Sequence, residues 1–439
     1  MRLFEKSFAF CLVTCGILLF ALPKINLIAF SNETAGIRID DVLLLFLSIL
    51  IGWAHCALGK PTNAIERWTA AVVAFSLISF GFNRFFVAEG WLHVNANLLY
   101  CLRLAEYFIF FYVGALSTQF FKASTIIKAF FFWNVLLMFL QKTGIIGHFT
   151  VAGYSGDVSS RVLGIASFPA EAGMLLNLMF CFLIFSDKPK EKKSGWIYIS
   201  PNIRNFCSKT YVYWLFLLFA ILVTLTGARI ALVGLAIPFI FRIKDQFRWR
   251  SASSWIFAAL FFMVTATVTI VMIQKNDAVS KRSAGLLSLK NIELVEMVWD
   301  KIDTSIIPVG NEAVKFDDYD MSWWMRIHKW CYALKIYYLH PECWLQGVGP
   351  GFAMVALDGG YLRILTEYGL IGCALFWKLF SLIFRQSPQL RWIVITFAIN
   401  MLFFDVYLAY KPMSIIFFIS GWTWAHSKET EIKLATATI

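Results

Sequence analysis

The chain is a series of apolar runs, each about 20 residues long, separated by charged connections. A membrane-crossing α-helix needs roughly 17–25 mostly apolar residues, since hydrocarbon offers no partner for a free backbone N–H or C=O. Twelve runs predict twelve spans, at about 8–23, 41–57, 68–83, 98–118, 124–140, 169–186, 211–226, 228–243, 253–273, 360–384, 390–409 and 411–426. Residues 211–243 read as one long tilted helix or as two. The split at Gly227 is preferred, because a bare Arg229 mid-membrane is costly and a break there brings it to a surface. Composition agrees: 59% of residues are hydrophobic and 15% charged. That excludes a soluble enzyme, a nucleic-acid-binding domain and a secreted disulfide scaffold.

The net charge of +12 reflects topology. With the N-terminus in the cytoplasm, the inner segments collect Lys and Arg, including Lys188, Lys190, Lys192, Lys193, Arg242, Lys244, Arg248 and Arg250. The short outer loops hold few, among them Lys24, Arg161, Arg229 and Lys411. This bias places both termini inside. Nucleic acid is not needed to account for the charge. The expected fold is an all-α polytopic membrane protein with one large outer loop between spans nine and ten. Residues 1–273 carry spans one to nine, 274–359 the loop, and 360–439 spans ten to twelve with a cytoplasmic tail.

In the loop, Trp323, Ile327, Trp330, Leu334 and Tyr337 share a helical stripe, with Lys329 and Lys335 on the opposite face. Such a helix lies on the membrane or packs on the bundle. Cys331 and Cys343 are the two loop cysteines, and an oxidising exterior would permit them to pair. No cysteine–histidine spacing suits a metal.

Charges within or beside the spans are Asp40, Asp41, Arg103, Glu106, Glu171, Arg229, Arg363, Glu367 and Asp405, and all fall in the outer half. A one-sided cluster suggests a pocket opening outward. The plainer reading pairs Arg103 with Glu106 and Arg363 with Glu367 along their helices. It leaves Arg229, Glu171 and Asp405 without a local partner.

Three segments together look familiar: RVLGIASFPAEAG at 161–173, VTLTGARIALVGL at 223–235, and the run from Arg326 to Gly372. The last contains RIHKWCYAL, HPECWLQGVGPG and DGGYLRILTEYGLIG. Their order resembles the O-antigen ligase and O-antigen polymerase superfamily of bacterial surface-glycan assembly. The resemblance implies a multi-pass inner-membrane glycosyltransferase of C-type architecture, acting on the periplasmic side without metal or other cofactor. Its donor and acceptor would be glycans on undecaprenyl pyrophosphate, with membrane lipid and a chain-length regulator as further partners.

That chemistry suits these residues. Cleaving a glycosyl–pyrophosphate bond leaves negative charge on phosphate, which the planar fork of Arg matches. Arg326 and Arg229 are the expected catalytic arginines, with Arg161 beside them on the pyrophosphate. Ligases of this family show a His-Asn-x-Tyr/Phe-Leu pattern where span ten begins. Here Asp358, Gly359, Gly360, Tyr361 and Leu362 stand there, so the usual ligase base is absent. Asp358 becomes the candidate base, or else an N-cap to span ten. His328 and His340 are rivals, and Glu171, Arg363 and Tyr361 complete the substrate-binding set. The glycines at 347, 349, 351, 359 and 360 read as turns, because GVGPG lacks the Lys-Ser/Thr of a phosphate loop. The expectation is a repeat-unit polymerase, with a ligase acting on lipid A–core as the alternative. A non-catalytic transporter or flippase predicts charges across the full membrane depth, a pattern this sequence lacks.

Overall fold

The computed structural model describes residues 2–23, 26–29, 36–58, 63–86, 94–150, 153–155, 161–185, 201–244, 263, 290–304, 321–352 and 356–437. Apolar runs become helices: α1 (Arg2–Ala21), α2 (Ile39–Leu58), α3 (Ala64–Phe86), α4 (Val94–Ser117), α5 (Ala123–Lys142) and α6 (Pro169–Phe185). Then come α7 (Pro201–Thr226), α8 (Arg229–Lys244), α9 (Lys290–Lys301), α10 (Met321–Leu339), α11 (Gly360–Gln386), α12 (Pro388–Asn400) and α13 (Tyr410–Ala437). Two antiparallel ribbons, absent from the all-helical expectation, sit in connections between helices: Asn26–Ala29 with Gly36–Arg38, and His148–Thr150 with Gly153–Ser155.

The architecture is compatible with a helical membrane protein. Among the described residues, Ala64–Phe82, Ala123–Lys142 and Gly360–Gln386 are long and apolar enough to cross a bilayer, and Lys6–Ala21, Pro169–Phe185 and Tyr211–Thr226 are shorter apolar helices. The ninth expected span, 253–273, lies largely outside the described residues, as do 274–289, 305–320 and 353–355 of the loop. The break at Gly227 is present: α7 ends at Thr226, Gly227 takes φ 75°, and α8 begins at Arg229. The eleventh run is shorter than expected. Its helix stops at Asn400, because Met401 O accepts Gly360 N at 2.9 Å and ties the chain to the start of α11.

The main core joins α1, α4, α6, α7 and α13 through Phe and Leu side chains. Helices α4 and α13 meet backbone to backbone. A Cβ on Gly114 would lie 2.0 Å from Phe418 O, and one on Gly421 would lie 1.8 Å from Phe111 O. Small residues allow this approach where apolar packing in lipid has no hydrophobic drive. Buried Lys411, at the start of α13, donates through Nζ to the carbonyls of Leu19, Phe20 and Leu22, where α1 ends. A cation satisfies the orphan carbonyls of a helix C-terminus.

The chain from 161 to 168 enters the bundle without regular structure, so its backbone must bond elsewhere. Two side chains of α5, two turns apart on one face, supply the partners. Gln141 Oε1 accepts from Leu163 N at 3.0 Å and Gly164 N at 2.7 Å, and Asn134 Oδ1 accepts from Ile165 N at 3.0 Å. Gly164 has φ +62°, and a Cβ there would lie 2.3 Å from Asn134 Oδ1. Gly164→Ala is therefore expected to cost on the order of 1–3 kcal/mol from backbone strain and overpacking. A fall in the melting temperature of the purified protein checks this.

The described residues of 290–304, 321–352 and 356–357 build a second core. Leu294 and Val298 of α9 pack with Ile327, Cys331, Tyr332 and Ile336 of α10, and with Cys343, Val348, Phe352 and Leu357. The buried face of α10 is thus rotated from the expected stripe, and Leu334 is exposed. The helix is covered on two sides, by α9 and by the returning chain. Neither lysine sits on a purely solvated face. Lys335 Nζ donates to Trp299 O at 2.8 Å and Ile302 O at 3.1 Å, capping α9. Cys331 and Cys343 are buried and unbridged.

Helix α11 is broken at Gly369 (φ 61°, ψ −167°). The chain at 344–349 docks on the break. Val348 N and Gly349 N donate to Thr366 O and Glu367 O at 2.7 and 3.0 Å, while Leu370 N and Ile371 N donate to Trp344 O and Leu345 O, both at 3.0 Å. The expected glycine turns at 347, 349 and 351 are present, each with positive φ.

Candidate functional site

The site grows from one buried arginine. Arg363, one turn into α11, reaches Glu367 a turn later, Nε to Oε1 at 2.8 Å, as the local pairing anticipates. Its other arm holds Asp405, Nη1 to Oδ2 at 2.8 Å. Arg363 and Glu367 are fully buried, so each charge needs its partner.

Both carboxylates also hold backbone. Glu367 Oε1 accepts from Gly351 N at 2.9 Å, and Tyr407 Oη donates to Glu367 Oε2 at 2.6 Å. Asp405 Oδ2 accepts from Leu357 N at 2.7 Å and Oδ1 from Gly359 N at 3.1 Å. Asp405 therefore grips the chain on either side of Asp358. Between those anchors Asp358 takes φ 54°, the one positive φ at a non-glycine among the described residues. Aspartate tolerates this left-handed conformation better than most residues, yet it remains strained.

The turn presents the Asp358 carboxylate to two cations of α10. Lys329 Nζ lies 3.8 Å and Arg326 Nε 4.0 Å from Oδ2. These are ion pairs, too long for hydrogen bonds. The side chains are 29% (Asp358), 17% (Arg326) and 13% (Lys329) exposed, so the cluster opens to one side. Arg326 also sits 5.8 Å from the ring of Phe404. Trp330 Nε1 donates to Leu357 O at 3.0 Å and fixes α10 against the turn. The N-cap of α11 is Gly359, with no side-chain cap bond, so Asp358 is not the cap. Burial pushes the Asp358 carboxyl above the usual carboxylate range, and Asp405 adds to this while Lys329 and Arg326 oppose it.

The rival bases stand elsewhere. His328 lies against the ring of Trp324 at 5.6 Å, and burial lowers its pKa and favours the neutral ring. His340 pairs through Nδ1 with Glu342 at 3.0 Å, beyond the far end of α10. It lies about 21 Å along the helix axis from Arg326. Tyr361 is partly exposed, and its hydroxyl donates to Ala398 O at 2.8 Å. Arg363 lies behind the exposed cluster and holds its frame.

The other expected residues gather around a second turn. Val162 N donates to Leu225 O at 3.0 Å, and the Arg161 side chain covers Gly227, two residues before Arg229 opens α8. Glu171 is buried and accepts from Ser167 N at 2.9 Å and Lys411 N at 3.4 Å, so it ties the entering loop to the start of α13.

Three residues of the cluster and its frame, Lys329, Glu367 and Asp405, are not among the site residues expected from sequence. Lys329 follows Arg326 by three positions, a helical spacing that does place both on one face. Asp405 had only its lack of a local partner as a signal. No protein-family model matches the chain, and no curated protein is significantly similar to it.

Proposed function

We propose that the chain polymerises undecaprenyl-pyrophosphate-linked repeat units of O-antigen or another exopolysaccharide, transferring the growing glycan to the next lipid-linked unit. The observation that supports this most is the partly exposed carboxylate of Asp358 facing the Arg326 and Lys329 cations, 4.0 and 3.8 Å away. A glycosyl transfer to a hydroxyl needs a proton acceptor and a cationic hold on the departing pyrophosphate, side by side. In this reading Asp358 takes the proton of the acceptor hydroxyl as its oxygen bonds to the anomeric carbon. The bond from that carbon to the pyrophosphate breaks, and the electron pair leaves on phosphate, where Arg326 and Lys329 stabilise it. Arg161 and Arg229 form a second cationic group for the pyrophosphate or its neighbour. Arg363, Glu367 and Asp405 hold the geometry.

The variants that test the arginine role are Arg326→Ala and Arg326→Lys. Alanine is expected to lower long-chain glycan roughly 10²–10³-fold, the usual loss for one donor to a developing oxyanion. Lysine is expected to restore part of it, since it lacks the bidentate fork. Wild-type glycan from the alanine variant, at equal protein in the membrane, removes Arg326 from the site.

The proposal places twelve spans in the bacterial inner membrane, with both termini cytoplasmic and the cluster on the periplasmic face. Reporter fusions after residues 190, 245 and 387 are expected to read cytoplasmic, and fusions near 150 and 310 periplasmic. A cytoplasmic reading at 310 puts Asp358 on the wrong side for this chemistry.

A further inference from the structure

The chain between α10 and α11 meets two apolar helices at a depth that a surface loop does not reach. Helix α11 is one of the helices long and apolar enough to cross a bilayer, and it carries Arg385 near its end. Counting back from that charge, a hydrocarbon core of about 30 Å takes up about 20 residues, which puts the other edge near residue 365. Leu370 and Ile371 then lie about 8 Å inside the hydrocarbon. If Lys378 marks the lower edge instead, they lie deeper still. These two residues take Trp344 and Leu345 as backbone partners, each at 3.0 Å. Helix α3 gives the same answer independently. Ser79 Oγ donates to Gln346 O at 2.6 Å. Ser79 is twelve positions above Arg67 at the helix's polar end, about 18 Å along the axis and some 12 Å short of the far edge.

At that depth the segment shows apolar surface. Trp344 is 48% exposed and Leu345 58%, beside Leu370 at 55% and Ile371 at 44%, so the patch continues the outward face of α11. Tyr338 and Leu339 extend it along the tip of α10. The polar groups of the tip are internally engaged: Trp344 Nε1 donates to Tyr337 O at 2.8 Å, Tyr337 Oη to Trp344 O at 2.6 Å, and His340 pairs with Glu342. Irregular backbone at membrane depth is tolerated where protein satisfies it, as it does here.

We infer that residues 344–351 form a re-entrant segment in the leaflet nearer Gly360, with Trp344 and Leu345 against lipid acyl chains and His340–Glu342 at the head groups. The inference rests on α3 and α11 crossing the bilayer, and not on the proposed reaction. It has a consequence for the cluster. The middle of α10 reaches the chain just before α11, through Trp330 on Leu357 O, and the chain just past α10 reaches α11, through Trp344 O on Leu370 N, so α10 runs beside the first half of α11. With Arg385 at the lower edge, Asp358 sits about 10 Å above the hydrocarbon, at the level of lipid phosphates, and with Lys378 there it sits at the hydrocarbon edge.

The test uses the full-length protein in phosphatidylethanolamine–phosphatidylglycerol vesicles. The photo-crosslinker benzoylphenylalanine replaces Leu345, Ile371 or Asp300, the last an exposed residue of α9. Leu345 is expected to give acyl-chain adducts at a yield like that of Ile371, and Asp300 none. In parallel, Leu345→Cys is expected to react with a charged, impermeant maleimide about tenfold or more slower than Asp300→Cys, because hydrocarbon disfavours the reactive thiolate. Adducts to a second copy or another protein, or labelling of Leu345→Cys as fast as Asp300→Cys, would overturn the inference.

Discussion

Asp358→Asn is expected to slow glycan transfer about 10²-fold or more while leaving folded protein in the membrane. Asn keeps the size of the side chain and tolerates the left-handed backbone that this position requires. It does not accept a proton. The pH profile carries the same signature. Burial raises the folded-state pKa of Asp358 above its unfolded value. The active base is the carboxylate, so activity falls as pH falls through the raised value. The acid limb of kcat/KM is expected above the ordinary carboxylate range of about 4. The stability contribution runs the other way: a raised pKa favours the fold at low pH, and that contribution is lost as pH rises through it. Asp358→Asn should therefore unfold at the same temperature as wild type or higher at neutral pH, a common pattern for a residue kept for function. An active Asp358→Asn protein would shift the base role to another group.

Asp405→Ala is expected to be the most destabilising single change in the frame, by about 3–5 kcal/mol, because it leaves a buried guanidinium with one of its two carboxylates. It also strips the acceptor from Leu357 N and Gly359 N, the two amides that hold Asp358 in its turn. The measurement is thermal unfolding of the purified protein, read beside activity. A large fall in melting temperature with lost activity fits the clamp. An unchanged melting temperature would show that Glu367 alone neutralises Arg363 and that the turn holds itself.

Much of the helical order was legible because it follows from solvent chemistry. Each described apolar run became a helix, and the cost of Arg229 in hydrocarbon placed the break at Gly227 correctly. The i,i+4 pair of Arg363 and Glu367 was legible for the same local reason. What escaped depends on distant chain. The LTEYGLIG stretch reads as continuous helix, and only the docking of 344–349 on Thr366–Ile371 opens it at Gly369. Asp405 and Gly359 lie 46 residues apart, so the clamp has no sequence signature. The buried face of α10 is rotated from the stripe of Trp323, Ile327, Trp330, Leu334 and Tyr337 because two neighbours bury the helix from two sides. The expected base and one expected arginine, Asp358 and Arg326, do meet. Arg161 and Arg229 meet at the Gly227 turn, where the Arg161 side chain covers Gly227 and Arg229 opens α8.

The central claim is that the cluster at Asp358 joins lipid-linked repeat units. The direct measurement is purified protein in vesicles with undecaprenyl-pyrophosphate-linked repeat units, no added metal and no lipid A–core, followed by glycan length on a gel. A ladder of lengths from wild type, with none from Asp358→Asn or Arg326→Ala, is the predicted result. Product that forms only when lipid A–core is supplied would make the protein a ligase. Failure to transfer glycan to either acceptor, from protein shown to be folded, would contradict the account.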